Sequence, residues 1–142
     1  MATSREAELT ELAARLRLAI TRTARRMRQE ASEGLSPTLM AALATIERSG
    51  PLTPSELAEI ERVKRPTATR IIGQLAEADL VTKAPDPSDG RSCLVSISAE
   101  GKALLRRLRR RKNAYITRRL RELDPEDRAA LERAAAVLEQ ML

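Results

Sequence analysis

The chain predicts a mostly α-helical fold that carries one small β-hairpin. Three observations predict it. Apolar residues recur at three- and four-residue steps over most of the 142 residues. Helix-start signatures stand at Ser36-Pro37, at Thr53-Pro54-Ser55-Glu56 and at Asp124-Pro125. The period drops to two in one place only, on either side of the turn-rich stretch Pro85–Gly90.

The elements follow in order. Leu9, Leu12, Leu16, Ile20, Thr23 and Met27 form the stripe of a long first helix, with most of its arginines off that stripe, and Gly34 is expected to end it. Ser36 caps a second helix with Pro37 at its first position. Leu39, Met40, Leu43 and Ile46 make that helix apolar on most sides, so it is expected to sit deep. Gly50-Pro51 stops it. Thr53 and Glu56 then form a capping box that opens a short helix with Leu57, Ala58 and Ile60 as inner residues. After a tight break at Glu61-Arg62-Val63, a fourth helix starts near Arg65-Pro66 and turns Ala68, Ile71, Ile72 and Leu75 inward. Two short helices across a tight turn outline a helix-turn-helix.

Val81–Ala84 reads as one strand, Pro85–Gly90 as a loop, and Arg91–Ile97 as the returning strand, with Cys93, Val95 and Ile97 on one face. A hairpin directly after such a helix is a wing. Ser98, with Glu100 in the first turn, opens a long helix striped by Leu104, Leu105, Leu108, Tyr115, Ile116 and Leu120. Asp124-Pro125-Glu126-Asp127 opens the last helix, lined by Leu131, Ala134, Ala135, Leu138 and Leu142.

Composition narrows the function. There is no His and one Cys, so a Ser-His-Asp triad, a Cys-His pair, a His-based zinc site and an intrachain disulfide are all excluded. No metal or cofactor is expected, and no convergent Asp, Glu and Lys set supports an enzyme. One Tyr and no Phe or Trp leave almost nothing on which to stack single-stranded bases. Lys and Arg number 26 against 20 Asp and Glu, a net charge of +6 that favours a polyanionic partner. The start of the chain has no apolar run behind its charge, and the uncharged stretch Gly34–Ile46 is too short to span a bilayer. A soluble protein of the reducing cytoplasm, with no membrane partner, is expected.

The predicted architecture is therefore a winged helix-turn-helix DNA-binding lobe plus a helical dimerisation lobe. The expected division is an N-terminal dimerisation helix over 1–34, the winged helix-turn-helix over 35–100 and C-terminal dimerisation helices over 101–142. The terminal helices carry more apolar stripe than a compact wing domain can cover, and a second copy of the chain is the economical partner.

At this point the sequence resembles the MarR family of transcription regulators. Four stretches carry the resemblance. They are Leu52-Thr53-Pro54-Ser55-Glu56-Leu57-Ala58, Arg65-Pro66-Thr67-Ala68-Thr69-Arg70, Asp86-Pro87-Ser88-Asp89-Gly90-Arg91-Ser92 and Val95-Ser96-Ile97-Ser98-Ala99-Glu100-Gly101. Their order and spacing also fit. The resemblance implies a homodimer built by both terminal helices and the helix after the wing. It implies a near-palindromic double-stranded DNA site, and in many members release of DNA by a small-molecule effector. The effector pocket would be lined by apolar residues of the first, second and fifth helices; its residues are not marked in the sequence. Two departures stand out: Lys64 replaces a frequent Ser cap on the recognition helix, and Asp79 replaces a frequent Gly at its end.

The expected DNA-binding residues are Arg65, Thr67, Thr69 and Arg70 in the first turns of the recognition helix, Gln74 one turn on, and Arg91 at the wing. Guanidinium groups suit guanine edges and phosphates, and an Arg on a wing suits the narrow minor groove. Asp89 would be repelled by phosphates and is expected to support the wing by binding Arg91 or a neighbouring loop group. The plainer reading of these residues is an ordinary polar helix face and an Asp-Gly turn. Cys93 is expected to be a small buried hydrophobe, and Tyr115 a core or dimer-seam residue. The run Arg106–Lys112 is a solvated face, a long-range attraction for duplex, or a dimer contact. Two other functions fit the same basic surface: a helical protein-interaction module and a duplex-RNA binder. Arg65 and Arg70 speak against the first.

Overall fold

A computed structural model describes residues 3–142. Six helices and one hairpin follow each other as α1 (Ser4–Ala31), α2 (Pro37–Ser49), α3 (Pro54–Glu61), α4 (Arg65–Glu77), β1 (Val81–Asp86), β2 (Asp89–Ile97), α5 (Ala99–Arg121) and α6 (Pro125–Gln140). The fold is mostly α with a two-stranded antiparallel wing, as the periodicity predicts. The chain forms two compact units: Ser32–Arg109, and the described residues up to Ala31 together with Arg110–Leu142.

The first unit contains the helix-turn-helix and the wing. Its helix starts are set by local chemistry. The Ser36 side chain accepts the amide of Leu39 at 3.2 Å, with Pro37 at the first helical position. Thr53 accepts the Glu56 amide at 3.1 Å, and Glu56 Oε1 accepts the Thr53 amide at 3.2 Å, a complete capping box. The Ser98 hydroxyl accepts the Gly101 amide at 3.0 Å and opens α5. The core of this unit collects Leu43, Ile46, Leu57, Leu75, Val95 and Leu108, each less than 2% exposed. Burial of each large apolar side chain contributes about 1.5–3 kcal/mol.

Three details differ from the sequence reading. The first helix stops at Ala31, and Gly34 lies beyond it at φ 83. Ile60 is exposed, and Glu61 takes the inward place expected for it. At about 100° per residue, Glu61 lies about 40° from Leu57 around α3, whereas Ile60 falls about 60° to the other side. Last, the wing loop is shorter than Pro85–Gly90. Both strands extend to a two-residue turn at Pro87-Ser88, with an irregularity in register between Pro85 and Asp86. Two side-chain brackets close it: Asp86 Oδ1 accepts the Ser88 amide and Asp89 Oδ1 the Arg91 amide, each at 2.9 Å.

The base of the wing is tied to the core. Val81 pairs with Ile97 and Lys83 with Val95. Leu52, just before α3, makes a further bridge with Val95, through bonds of 3.0 and 2.7 Å. Val95 therefore has a strand neighbour on both sides, bonds Leu52 with both its amide and its carbonyl, and is fully buried. Gly101 lets α5 start against this base: a Cβ there would sit 2.2 Å from the Leu80 carbonyl oxygen.

The second unit is helical. Asp124 accepts the Asp127 amide at 2.9 Å and starts α6 with Pro125 in first position. Glu30 pairs with Arg26 at 3.1 Å and Arg118 at 3.8 Å, and the Arg118 guanidinium lies 5.9 Å from the centre of the half-buried Tyr115 ring. Its apolar stripes stay in water: Leu9 is 54% exposed, Leu12 49%, Leu131 48% and Val137 55%. No helix of the structure is long and apolar enough to cross a membrane.

Candidate nucleic-acid interface

Helix α4 has two unlike faces. Ala68, Ile71, Ile72 and Leu75 are at most 3% exposed and fix it to the core. On the opposite side Arg65, Thr69, Arg70 and Gln74 are exposed, and Thr67 is half-buried at the boundary. The helix starts without help from its own side chains: Lys64 is the N-cap residue but makes no side-chain cap, and no acid stands in the first turn. Free backbone amides, the positive end of the helix dipole and the cations Lys64 and Arg65 therefore coincide. This end of α4 attracts anions.

Both boundaries of α4 are unusual. Arg62 in the turn before it has φ 55, and Asp79 after it has φ 61; these are the two non-glycine residues with positive φ among those described. Asp79 thus adopts the left-handed backbone that the resemblance leads one to expect of a Gly at this position.

The wing places Arg91 in the open, three residues beyond the tip turn. Asp89 is exposed as well, and its carboxylate receives the backbone N–H of Arg91. Asp89 thereby shapes the strand that carries Arg91, while the guanidinium stays available. Three exposed cations near these elements stand outside the expected DNA-binding set: Arg62 and Lys64 in the turn, and Lys83 on β1. A cation inside a predicted turn was a signal that could have found the first two; Lys83 shares a strand face with Val81 and pairs with Val95, so the alternation alone does not mark it as exposed.

The basic run of α5 divides. Arg107 pairs with Glu33 at 3.2 Å and Arg109 with Glu47 at 2.6 Å, which ties α5 to the segment before α2 and to α2 itself. Arg106 and Arg110 are exposed. Cys93 is half-buried on β2, rather than fully buried, because the hairpin's outer half projects beyond the core while Val95 lies within it. Among the described residues no group of three or more Cys, Asp or Glu side chains could hold a metal ion. A cavity of about 830 Å³ lies in the helical unit, among Tyr115, Ile116, Leu120, Leu131, Ala135 and Leu138. It is lined from α5 and α6 with Thr23 of α1, and α2 contributes nothing to it.

A helix with one face in the core and a cationic, hydroxyl-bearing face in water, followed by a hairpin that exposes Arg91, defines a winged helix-turn-helix DNA-binding protein. The comparisons with known proteins give the family. The sequence profile of the MarR family matches residues 35–93. An HTH-type transcriptional regulator of Mycobacterium bovis is 38% identical over 128 residues, covering 89% of this chain and 90% of that protein. A transcriptional regulator from Pseudomonas aeruginosa has a crystal structure that covers 99% of this chain and 97% of its own, with 31% identity and a TM-score of 0.86. MepR from S. aureus, in mutant form and bound to an oligodeoxyribonucleotide, shares the fold at a TM-score of 0.71 with 14% identity; the match covers 92% of this chain and 98% of that one. The chain belongs to the MarR family: it is a DNA-binding transcriptional regulator of the winged helix-turn-helix class, not an enzyme.

Proposed function

We propose that the chain acts as a homodimer on a near-palindromic operator and represses transcription until a small-molecule effector releases it. In this reading each protomer lays α4 in the major groove, with Arg65, Thr67, Thr69, Arg70 and Gln74 toward bases and phosphates. Arg91 enters the adjoining minor groove, and Asp89 holds the strand behind it. The observation that carries the reading is the outward face of α4: Arg65 and Arg70 are exposed while the same helix buries Ile71 and Leu75. A protein that shares the fold is bound to an oligodeoxyribonucleotide, which supports DNA as the partner.

Dimerisation is supported by the helical unit. Leu9, Leu12, Leu16 and Ile20 on α1 are 40–54% exposed, and Leu131 and Val137 on α6 are 48% and 55% exposed. Soluble monomers rarely leave contiguous apolar stripes of this kind in water. A second copy brings self-complementary stripes to the same place. The effector response rests on the family resemblance, and the apolar cavity at Tyr115 and Leu131 has the size of a small-molecule site. The proposed division of labour follows the sequence: residues 35–100 read DNA, while 1–34 and 101–142 pair the copies.

Selection of bound duplexes from a random pool tests the reading, together with the mass of the protein in solution. The expected motif is two-fold symmetric with half-site centres about 10 bp apart, bound by a species of twice the chain mass. A monomer, or a pool without enrichment, refutes it. Stronger competition by duplex RNA than by duplex DNA would favour the RNA-binding alternative.

A further inference from the structure

Among the described residues only two polar side chains are buried, Thr45 at 2% exposure and Ser98 at 8%. Both bond to residues that border the recognition helix, Thr45 to a side chain and Ser98 to backbone. Thr45 lies on α2, and its hydroxyl donates to the carboxylate of Glu61, the last residue of α3. Arg48 donates to the same Thr45 oxygen at 3.3 Å. Arg62, with its left-handed backbone, comes immediately after Glu61. At the far end of α4, the Ser98 hydroxyl donates to the carbonyl oxygen of Asp79 at 2.6 Å, and Asp79 is the other left-handed residue. The Ser98 amide donates to the Leu80 carbonyl at 3.0 Å, which secures the following peptide. Each of the two buried hydroxyls thus reaches the turn at one end of α4.

We propose that Thr45 and Ser98 are positioning residues for DNA recognition: two buried hydroxyl clamps that set the direction in which α4 presents Arg65, Thr69 and Arg70. The proposal rests on α4 being the DNA-reading helix. The apolar face of α4 fixes how deep the helix sits, but apolar contacts are non-directional and tolerate rotation and sliding. Hydrogen bonds are directional, and a buried donor left without a partner is costly, so each clamp selects one geometry of its turn. A turn through a non-glycine left-handed residue is a conformation the chain leaves readily unless it is held. Bidentate base contacts depend on orientation; attraction of exposed cations to phosphates hardly does. Loss of a clamp therefore acts on specific binding more than on non-specific binding.

The test compares two affinities at fixed salt: for the duplex that the wild-type protein enriches from a random pool, and for an unrelated duplex of equal length. Thr45→Val and Ser98→Ala are each expected to lower the first about tenfold, on the scale of one lost buried hydrogen bond. The second is expected to change less than about twofold. Thr45→Ser, which keeps the hydroxyl, is expected to restore the ratio. A merely structural role would lower the melting temperature and leave the ratio of affinities unchanged, and that result overturns the proposal. If Thr45→Val does not fold, Glu61→Ala against Glu61→Gln asks the same question at the half-buried acceptor. A wild-type protein that enriches no sequence overturns the DNA-reading assignment, and this proposal with it. Enrichment by the wild type with an unchanged ratio in the variants overturns this proposal alone.

Discussion

Gly101→Ala places a methyl group where the fold has no room. Its Cβ would lie 2.2 Å from the Leu80 carbonyl oxygen, 2.7 Å from Cγ1 of Ile97 and 3.2 Å from the Leu80 carbonyl carbon. Ile97 can turn aside, but the Leu80 carbonyl is backbone. It is held by the Ser98 amide at 3.0 Å and sits where α4 passes into β1. To reach ordinary van der Waals separation, α5 must move away by about 1 Å. That stretches the Ser98–Leu80 bond, worth about 1 kcal/mol. It also loosens Leu104 and Leu105, both 5% exposed or less in the same turns of α5. Repacking of this kind costs about 1–3 kcal/mol. Ala is the better helix former by about 1 kcal/mol, which is too little to reverse the sign. The net expectation is a loss of about 1–3 kcal/mol. At a urea dependence of about 2 kcal/mol per molar, the unfolding midpoint falls by about 0.5–1.5 M. Protein concentration must be held constant, since pairing of copies would shift the midpoint by itself. An unchanged or higher midpoint refutes the close-approach argument.

Other predictions concern α4 and the wing. Arg62→Gly and Asp79→Gly each relieve a left-handed non-glycine residue and are expected to raise stability, by about 1 kcal/mol for Arg62 and less for Asp79, in thermal or urea unfolding. A midpoint that falls shows that these side chains stabilise the turns more than their backbone strains them. Arg70→Ala is expected to weaken binding to the selected duplex by about 1–3 kcal/mol in a gel-shift titration at fixed salt, and equal affinity argues against base contact. Peroxide is expected to leave DNA affinity unchanged, because Cys93 lies on β2 and the chain has no second thiol to resolve a sulfenic acid. Oxidative release that disappears in Cys93→Ser would make this residue a sensor.

The sequence determined the order and type of the elements, because their signals are local. Ser36, Thr53, Ser98 and Asp124 cap helices through amides three residues away, so the caps are legible without the fold. The apolar face of α4 was legible for the same reason, and so was the polar face opposite it. What lay beyond reach depends on residues far apart in the chain. The helical period turns Glu61 inward, but that it finds a hydroxyl partner there depends on Thr45, 16 positions upstream. Arg107 and Arg109 meet Glu33 and Glu47 across 74 and 62 positions, which no charge run reveals. The burial of Thr45 and Ser98 beside the two left-handed turns likewise arises only when α2, the turns and the start of α5 close on one core. Hydrogen-bond caps act within one turn and are written in neighbouring residues; burial is a property of the packed whole, and only the tertiary structure decides it.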